Sequence, residues 1–143
     1  MVIATRNGER FLAEQLRSIL TQSRTPDEII VSDDASADQT LALAESVLEQ
    51  ECRDRGIALT VVTNDPPRGI AENFRQAILH SSADVIALAD QDDVWRPDKL
   101  ETLSSHFEAL PELLMVHSDA DLVDASGQAL GVTVLESLLL TLT

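Results

Sequence analysis

Stretches typical of buried β-strands alternate along this chain with stretches of helical periodicity, and this alternation restricts the fold more than any other feature. The strand-like stretches are short and rich in apolar residues, whereas apolar residues between them recur at the three- and four-residue spacing of a helix face. Such alternation predicts βαβ units with right-handed crossovers. We therefore predict an α/β protein in three layers, α/β/α, whose mostly parallel sheet has helices on both faces.

The predicted strands are Met1–Thr5, Glu28–Ser32, Ile57–Thr63, Val85–Ala89 and Leu113–His117, with a last one near Leu130–Leu135. Each predicted helix has an inward apolar face. These faces comprise Phe11, Leu12, Leu16, Ile19 and Leu20; then Leu41, Ala44, Val47 and Leu48; then Ala71, Phe74, Ala77 and Ile78; then Leu100, Leu103, Phe107 and Leu110. Ser36 and Gln39 have the spacing of a capping box before the second helix, and Gly127 marks a turn.

Composition excludes several classes of partner. The chain has 143 residues, enough for one domain, and a formal net charge of -15 with a pI near 4.3. Binding to nucleic acid or to an anionic membrane surface relies on an excess of Lys and Arg, so this balance argues against both. One cysteine, Cys52, excludes an internal disulfide, and its place in a helical pattern predicts a small packing residue.

Acidic residues follow two of the predicted strands. Asp90-Gln91-Asp92-Asp93 comes directly after Val85–Ala89, and Asp33-Asp34 follows the second strand. Acids at strand ends are often solvated loop residues or helix caps. However, crowded carboxylates repel one another unless a cation neutralises them, and hard oxygen ligands suit Mg²⁺ or Mn²⁺. Since the chain has no glycine-rich phosphate loop, a bound diphosphate would need such an ion.

The loops after the first, second and fourth strands are expected to lie along one edge of the parallel sheet, where α/β proteins bind ligands. Arg6–Glu9, Asp33-Asp34 and Asp90–Asp93 would then share a cleft. Trp95, next to the acids, either stacks on a bound sugar or packs the loop.

Three segments, in order, resemble the nucleotide-sugar-binding half of family 2 glycosyltransferases: Ala4–Glu9, Ile30–Thr40 and Ala89–Leu100. The resemblance covers residues 1 to about 127. It implies a GT-A type, Rossmann-like fold that binds a nucleotide-diphospho-sugar. It also implies that Asp90 and Asp92 are the acids of the DxD motif that binds a divalent metal, Mg or Mn, on the donor's diphosphate. Asp92 would be the direct ligand, assisted by Asp93.

By the same resemblance, five other residues line the donor pocket. Asp33 and Asp34 match the pair that contacts the base and ribose. Thr5, Asn7 and Glu9 match the loop after the first strand that lines the same pocket. With Asp90, these form the expected substrate-binding set.

The resemblance implies a transferase reaction, inverting transfer of a sugar to a glycan or lipid-linked acceptor. The form Asp-Gln-Asp-Asp-Val-Trp, with His117-Ser118-Asp119 and Leu122-Val123-Asp124 downstream, is similar to bacterial rhamnosyltransferases that use dTDP-rhamnose in surface polysaccharide biosynthesis. Alternatives are another hexosyl donor such as a UDP-sugar, a non-catalytic nucleotide-sugar-binding module, and a receiver-like signalling domain. The receiver alternative is weakened because acids would follow its first strand, where this chain has Arg6-Asn7.

The family's general base lies in a later acidic motif, within the acceptor half. We therefore expect residues 1–143 to be a donor-binding part that is truncated before that half, and we assign no catalytic base. By resemblance, the expected location is cytoplasmic, at the inner face of the cell membrane, with any peripheral membrane association through regions outside these residues.

Overall fold

The computed structural model describes residues 1–141, with side chains described through residue 138. Its elements are β1 (Val2–Thr5), α1 (Leu12–Leu20), β2 (Glu28–Asp33), α2 (Thr40–Arg55), β3 (Ala58–Thr63), α3 (Ile70–His80), β4 (Leu88–Ala89), α4 (Lys99–Ala109), β5 (Asp121–Val123), β6 (Ala129–Thr133) and α5 (Val134–Thr141). They form two compact units, Met1–Thr102 and Leu103–Thr143.

The first unit is built on a four-stranded parallel sheet in the order β3-β2-β1-β4. Strand β1 lies between two partners: Thr5 is paired with Asp33 of β2, and Ile3 with Ala89 of β4. All of its residues are buried. Because the strands are parallel, their carboxyl ends and the loops that follow emerge on one edge of the sheet.

Successive residues of β1 and β2 point to opposite faces of the sheet, as the pleat requires. Ile3 and Ile29 pack in the larger core with the buried faces of α1 and α2. Val2 and Ile30 pack on the other face against Phe74 and Ala77 of α3. The predicted α/β class, with helices on both faces of a mostly parallel sheet, is confirmed.

Helix α2 ends at a glycine whose backbone is in the left-handed conformation. Gly56 has a φ of 71°, and the Ile57 amide donates to the Cys52 carbonyl at 2.9 Å. A residue with a Cβ is disfavoured at this left-handed position, so glycine ends the helix cleanly. Cys52 is buried in the larger core, which confirms its predicted packing role.

The second unit contains the antiparallel pair β5–β6 and helix α5. Its turn is held by Asp124, whose carboxylate accepts from the backbone amides of Ser126 and Gln128. Gly127 in this turn has a φ of 82°, so the predicted turn is confirmed. The last strand ends at Thr133, and Val134 begins a helix instead of extending the strand to Leu135. No helix in residues 1–141 is long and apolar enough to cross a membrane.

The predicted strand at Leu113–His117 is wrong. That segment has no regular structure, and Leu114 and Met115 are 95% and 75% exposed. A strand needs a partner for its amides and carbonyls, and in the described residues this segment has none. The strand forms at β5 instead, where the turn at Asp124 brings a partner alongside.

The predicted buried strands before the acids and at Ile57–Thr63 are correct in place but wrong in burial. Strand β4 spans two residues only, and Val85 and Leu88 are about half exposed. Strand β3 is half-buried along its middle. Both are edge strands of the described sheet, so each has one neighbour strand, and an apolar composition alone does not distinguish an edge from a centre.

Three predicted helix faces also differ. Phe11, predicted on the inward face of the first helix, precedes α1 and is 38% exposed. On α3, Ala71 and Ile78 are exposed, and Asn73 lies with Ala77 on the buried side. On α4 no residue is fully buried, and Leu110, just past its end, is 48% exposed.

The predicted capping box is wrong as well: Gln39 is the N-cap of α2, and the Ser36 hydroxyl donates to Asp33.

Leu16 tests the packing of α1 against the sheet. It is fully buried, so Leu16→Ala should lower the free energy of unfolding by about 2–5 kcal/mol through lost apolar contact and the cavity left behind. Urea unfolding followed by circular dichroism measures this. The matched control, Leu114→Ala at a 95% exposed position, should change stability by less than about 0.5 kcal/mol. Equal effects would contradict the core described above.

Candidate functional site

An open cavity of about 350 Å³ lies at the carboxyl ends of β1 and β4, beside the first turn of α3. Part of its lining comes from the loops that the sequence predicts to share a cleft, and part comes from Gly69 and the start of α3, which the prediction did not include. The lining residues are Ala4, Thr5, Arg6, Asp34, Gly69, Ile70, Asn73, Asp90, Gln91 and Asp92. The structure thus brings four predicted site residues to one place: Thr5, Asp34, Asp90 and Asp92.

Asp33 does not line the cavity, because its carboxylate is used within the protein. It is 2% exposed and accepts from the Thr5 hydroxyl at 2.8 Å, the Ser36 hydroxyl at 2.6 Å and the Ser36 amide at 2.8 Å. Between them Ala35 has a φ of 58°, a left-handed conformation that residues with a Cβ rarely adopt. Asp33 therefore shapes the loop after β2, and its predicted contact with a nucleoside stays a prediction.

Asn7 and Glu9 likewise connect two loops and lie outside the cavity lining. The Asn7 side-chain oxygen accepts from the Ala37 amide at 2.9 Å, and the Glu9 carboxylate accepts from the Gln39 amide at 2.9 Å. These bonds tie the loop after β1 to the segment that leads into α2.

Asp34 is a buried anion with donors at both oxygens. It is 1% exposed, and it accepts from the backbone amides of Arg68 and Gly69 at 2.7 and 2.8 Å. The Asn64 amide group and the Arg6 guanidinium also donate to it, each at 3.3 Å. Burial by itself would raise the pKa of the Asp34 carboxyl, but these donors and the Arg6 charge together lower it.

The acids after β4, in contrast to Asp34, have no hydrogen-bond donors in the described part of the chain. Among the described residues, no side-chain or backbone group donates a hydrogen bond to Asp90, Asp92 or Asp93, and Asp90 and Asp92 are exposed. Although Asp90 is exposed, its carboxyl is partly desolvated by neighbouring atoms, and this desolvation, with the charges of Asp93 and Asp92, raises its pKa. These carboxylates repel one another, and their oxygens are available to an incoming cation.

A divalent ion fits this donor set. In the described residues no three His, Cys, Asp or Glu side chains converge as a complete metal cage. Mg²⁺ and similar hard ions, however, are held in proteins by one or two carboxylates, with waters and substrate phosphates as the remaining ligands. Asp90 and Asp92 supply such a pair at the cavity wall.

Several lining residues are absent from the predicted substrate-binding and metal-binding sets, although Arg6 lies in a loop that the sequence predicts at the cleft. Arg6 is half exposed and is the one lining residue with a cationic side chain. Asn73 is 2% exposed, donates to the carbonyls of Thr5 and Ser32 and accepts from Asn64. A polar residue on the inward face of α3 is the sequence signal that identifies Asn73.

Trp95 packs the loop and is not available to a sugar. Its side chain is 6% exposed and belongs to the larger core, and its backbone amide donates to the Ser18 hydroxyl at 3.0 Å. The Lys99 ammonium lies 4.2 Å from the ring centroid.

Asp34 gives the site a defined dependence on pH. Its pKa in the folded chain is below the ordinary value of 3.8, so the ionised carboxyl contributes stability above about pH 4 that is lost as the pH falls through the folded pKa. Asp34→Asn should therefore cost about 1–3 kcal/mol at pH 7, because buried donors lose their acceptor. The deficit should shrink as the pH approaches about 3 in urea unfolding.

The exposed carboxylate of Asp54, which accepts from Gln50, is the matched control. Asp54→Asn should leave both the stability and its pH dependence close to those of the unsubstituted chain. A deficit for Asp34→Asn that stays constant from pH 7 to about pH 3 would contradict the assignment of an ionised Asp34.

The family model for Glycosyl transferase family 2 matches residues 1–124. Relatives include putative glycosyltransferase EpsE of Bacillus subtilis (strain 168), 34% identical over 71% of this chain and 35% of its own length. Another is dTDP-rhamnosyl transferase RfbG of Shigella flexneri, 33% identical over 69% of this chain and 34% of its own. The chain thus spans about a third of the length of these relatives.

Solved structures agree with the fold. The mannosyltransferase PcManGT from Pyrobaculum calidifontis, in complex with GDP-Man and Mn²⁺, superposes with a TM-score of 0.68 at 25% identity, covering 86% of this chain and 34% of that one. S. aureus TarS 1-349 in complex with UDP-GlcNAc has a TM-score of 0.66 at 23% identity, covering 76% of this chain and 30% of that one. These matches confirm the predicted GT-A type fold and enzyme family: the chain belongs to glycosyl transferase family 2.

Proposed function

We propose that this chain is the donor-binding part of an inverting glycosyltransferase of polysaccharide biosynthesis, and that its donor is dTDP-rhamnose. The observation that carries the proposal is the contrast between two acidic pairs at one sheet edge. Asp33 and Asp34 are buried and accept hydrogen bonds from several donors within the protein, whereas Asp90 and Asp92 face an open cavity with no protein donor in the described residues. The first pair builds the site and the second is free to act in it.

Asp90 and Asp92 would hold a divalent ion, Mg or Mn, with Asp93 assisting from beside them. The bound ion would neutralise the charge of the donor's diphosphate leaving group. The related structure of PcManGT contains Mn²⁺ together with GDP-Man, which supports the use of a divalent ion with the donor. The two carboxylates also exclude an anionic ligand from this wall unless a cation accompanies it.

The nucleoside would lie toward Asp34 and Thr5. Both line the cavity together with Arg6, whose guanidinium is anchored to Asp34 at 3.3 Å. Arg6 thereby offers a fixed positive charge to a negatively charged donor, because a guanidinium keeps its charge and its planar set of donors. Asn7, Glu9 and Asp33 would act on the donor by holding the loops in place.

The proposal of dTDP-rhamnose rests on the acidic segment and on the name of one relative, and the name of another relative points to a different donor. The acidic segment has the form Asp-Gln-Asp-Asp-Val-Trp, and RfbG, 33% identical, is named a dTDP-rhamnosyl transferase. WfgD of Escherichia coli, also 33% identical, is named a UDP-Glc-dependent glucosyltransferase. The UDP-sugar donor is therefore the alternative that the binding experiment below must separate.

The acceptor site and the general base are assigned to regions outside residues 1–143. The chain spans about a third of the length of its relatives. In the second unit, the Asp119 carboxylate accepts from the Leu135 amide, and the Asp124 carboxylate accepts within the turn between β5 and β6. We propose a glycan or lipid-linked acceptor; a lipid-linked one would place the reaction at a membrane surface, for which we propose the cytoplasmic face of the cell membrane. Inverting transfer would then require a carboxylate from that acceptor half to deprotonate the acceptor hydroxyl.

Substitution of Asp92 tests whether this residue binds the divalent ion. Added Mn²⁺ and dTDP-rhamnose should raise the melting temperature of the chain, since a ligand at 100 times its Kd stabilises the folded state by about 2.7 kcal/mol. Asp92→Asn should abolish the part of the shift that depends on Mn²⁺, as measured by differential scanning fluorimetry. Asp54→Asn, which removes an exposed carboxylate on α2, should keep the full shift. An undiminished shift in Asp92→Asn would remove Asp92 from the metal site.

Calorimetric titration in the presence of Mn²⁺ tests the donor. We expect dTDP-rhamnose to bind at least about tenfold more tightly than UDP-glucose, a difference of about 1.4 kcal/mol. The reverse order would favour the UDP-sugar alternative. If neither donor binds, and dTDP and UDP do not bind either, the result contradicts the proposed donor site itself.

A further inference from the structure

The side chain of Gln91 joins the acidic loop to the loop after β1. Gln91 stands between Asp90 and Asp92, and its Oε1 accepts from the Arg6 backbone amide at 2.8 Å. Its Nε2 donates to the Arg6 carbonyl at 3.1 Å. One side chain thus satisfies both backbone groups of a single residue, as a neighbouring β-strand would.

This contact lies where the backbone pairing of β1 and β4 has ended. The ladder between these strands includes only Val2 with Leu88 and Ile3 with Ala89, and β4 is the shortest strand of its sheet. Beyond Ala89, the Gln91 amide continues the attachment by side-chain hydrogen bonds. The acidic loop is therefore held to the centre of the sheet by this amide.

Gly8 leaves the space that the Gln91 side chain occupies in this contact. A Cβ on Gly8 would lie 2.3 Å from Gln91 Oε1 and 2.6 Å from Gln91 Cδ, distances that real Cβ atoms do not show. Gly8 is also fixed in place, because its amide donates to the Thr40 hydroxyl at 2.7 Å. Only a residue without a side chain leaves room for Gln91 to reach Arg6.

We propose that Gln91 is a positioning residue for metal and donor binding, an inference that rests on the function proposed above. Asp90 and Asp92 have no protein donors among the described residues and repel each other, so nothing in their own contacts holds them toward the cavity. Gln91 supplies that restraint from between them. By bonding the Arg6 backbone, it also links the acids to the residue whose cationic side chain lines the same cavity.

The physical gain is preorganisation. A loop that is already held in its binding geometry loses less conformational freedom when a ligand arrives, so more of the contact energy appears as affinity. Groups that orient metal ligands without touching the metal typically change metal affinity by about 10–100-fold when they are removed. Gln91 is placed to act in this way.

The test is binding of Mn²⁺ with dTDP, measured by calorimetry under conditions in which circular dichroism shows each variant folded. Gln91→Ala should weaken this binding about tenfold or more. Gln91→Asn, one methylene shorter, should fail to restore it because it cannot reach both groups of Arg6. Gln50→Ala on the exposed side of α2 is the matched control and should bind like the unsubstituted chain.

A purely structural role predicts a different pattern, in which Gln91→Ala lowers the melting temperature of the ligand-free chain and leaves the affinity of the folded fraction unchanged. That result overturns the proposal. If the unsubstituted chain binds Mn²⁺ with dTDP and Gln91→Ala binds equally well, the positioning role alone fails. If the unsubstituted chain itself does not bind, the proposed function fails and this inference with it.

A double-mutant cycle with Gly8 tests the contact directly. Gly8→Ala should weaken binding in the unsubstituted chain, because the new Cβ displaces the Gln91 side chain. In the Gln91→Ala background the same change should have a much smaller effect, since the clashing atoms are gone. Additive effects of the two substitutions would show that the side chains do not meet and would overturn the proposed restraint.

Discussion

Strand β1 is the constraint on which the rest of the described structure depends. It is paired in parallel on both sides, with β2 and β4, and its residues are buried. A strand so placed must be apolar on both faces, and it can carry polar function only beyond its carboxyl end. Thr5 marks that point: its hydroxyl donates to Asp33, and the loop that follows lines the cavity.

Two groups of polar side chains lie at this edge of the sheet, an inner layer that is hydrogen-bonded within the protein and an outer layer that is not. The inner layer is satisfied within the protein: Asp33 holds the loop after β2, Asp34 gathers amides from the loop before α3, and Asn73 binds carbonyls at the ends of β1 and β2. The outer layer, Asp90 and Asp92, has no such partners in the described residues. A fully satisfied network is rigid, whereas unsatisfied like charges attract a cation, so rigidity and reactivity are separated within one small site.

The prediction from sequence succeeded where the signal is local and repeated. Alternating periodicities identified the parallel sheet and its layers, and the acids at two strand ends identified the edge at which a cavity forms. It failed where a segment's state depends on a partner. Leu113–His117 has the composition of a strand yet lacks one alongside in the described residues, and Ser36, which fits a capping box, bonds to Asp33 instead.

The residues of the chain by themselves determined the α/β class, the order of its elements and the identity of the acids, because apolar period and charge are properties of neighbouring residues. Only the tertiary structure decided which acids accept hydrogen bonds from the protein and which, among the described residues, receive none. Asp33-Asp34 and Asp90–Asp93 read alike along the chain, but amides from Ser36, Arg68 and Gly69 converge only on the first pair. Gln91 likewise meets Arg6 across 85 residues of sequence because parallel pairing brings the ends of β1 and β4 together.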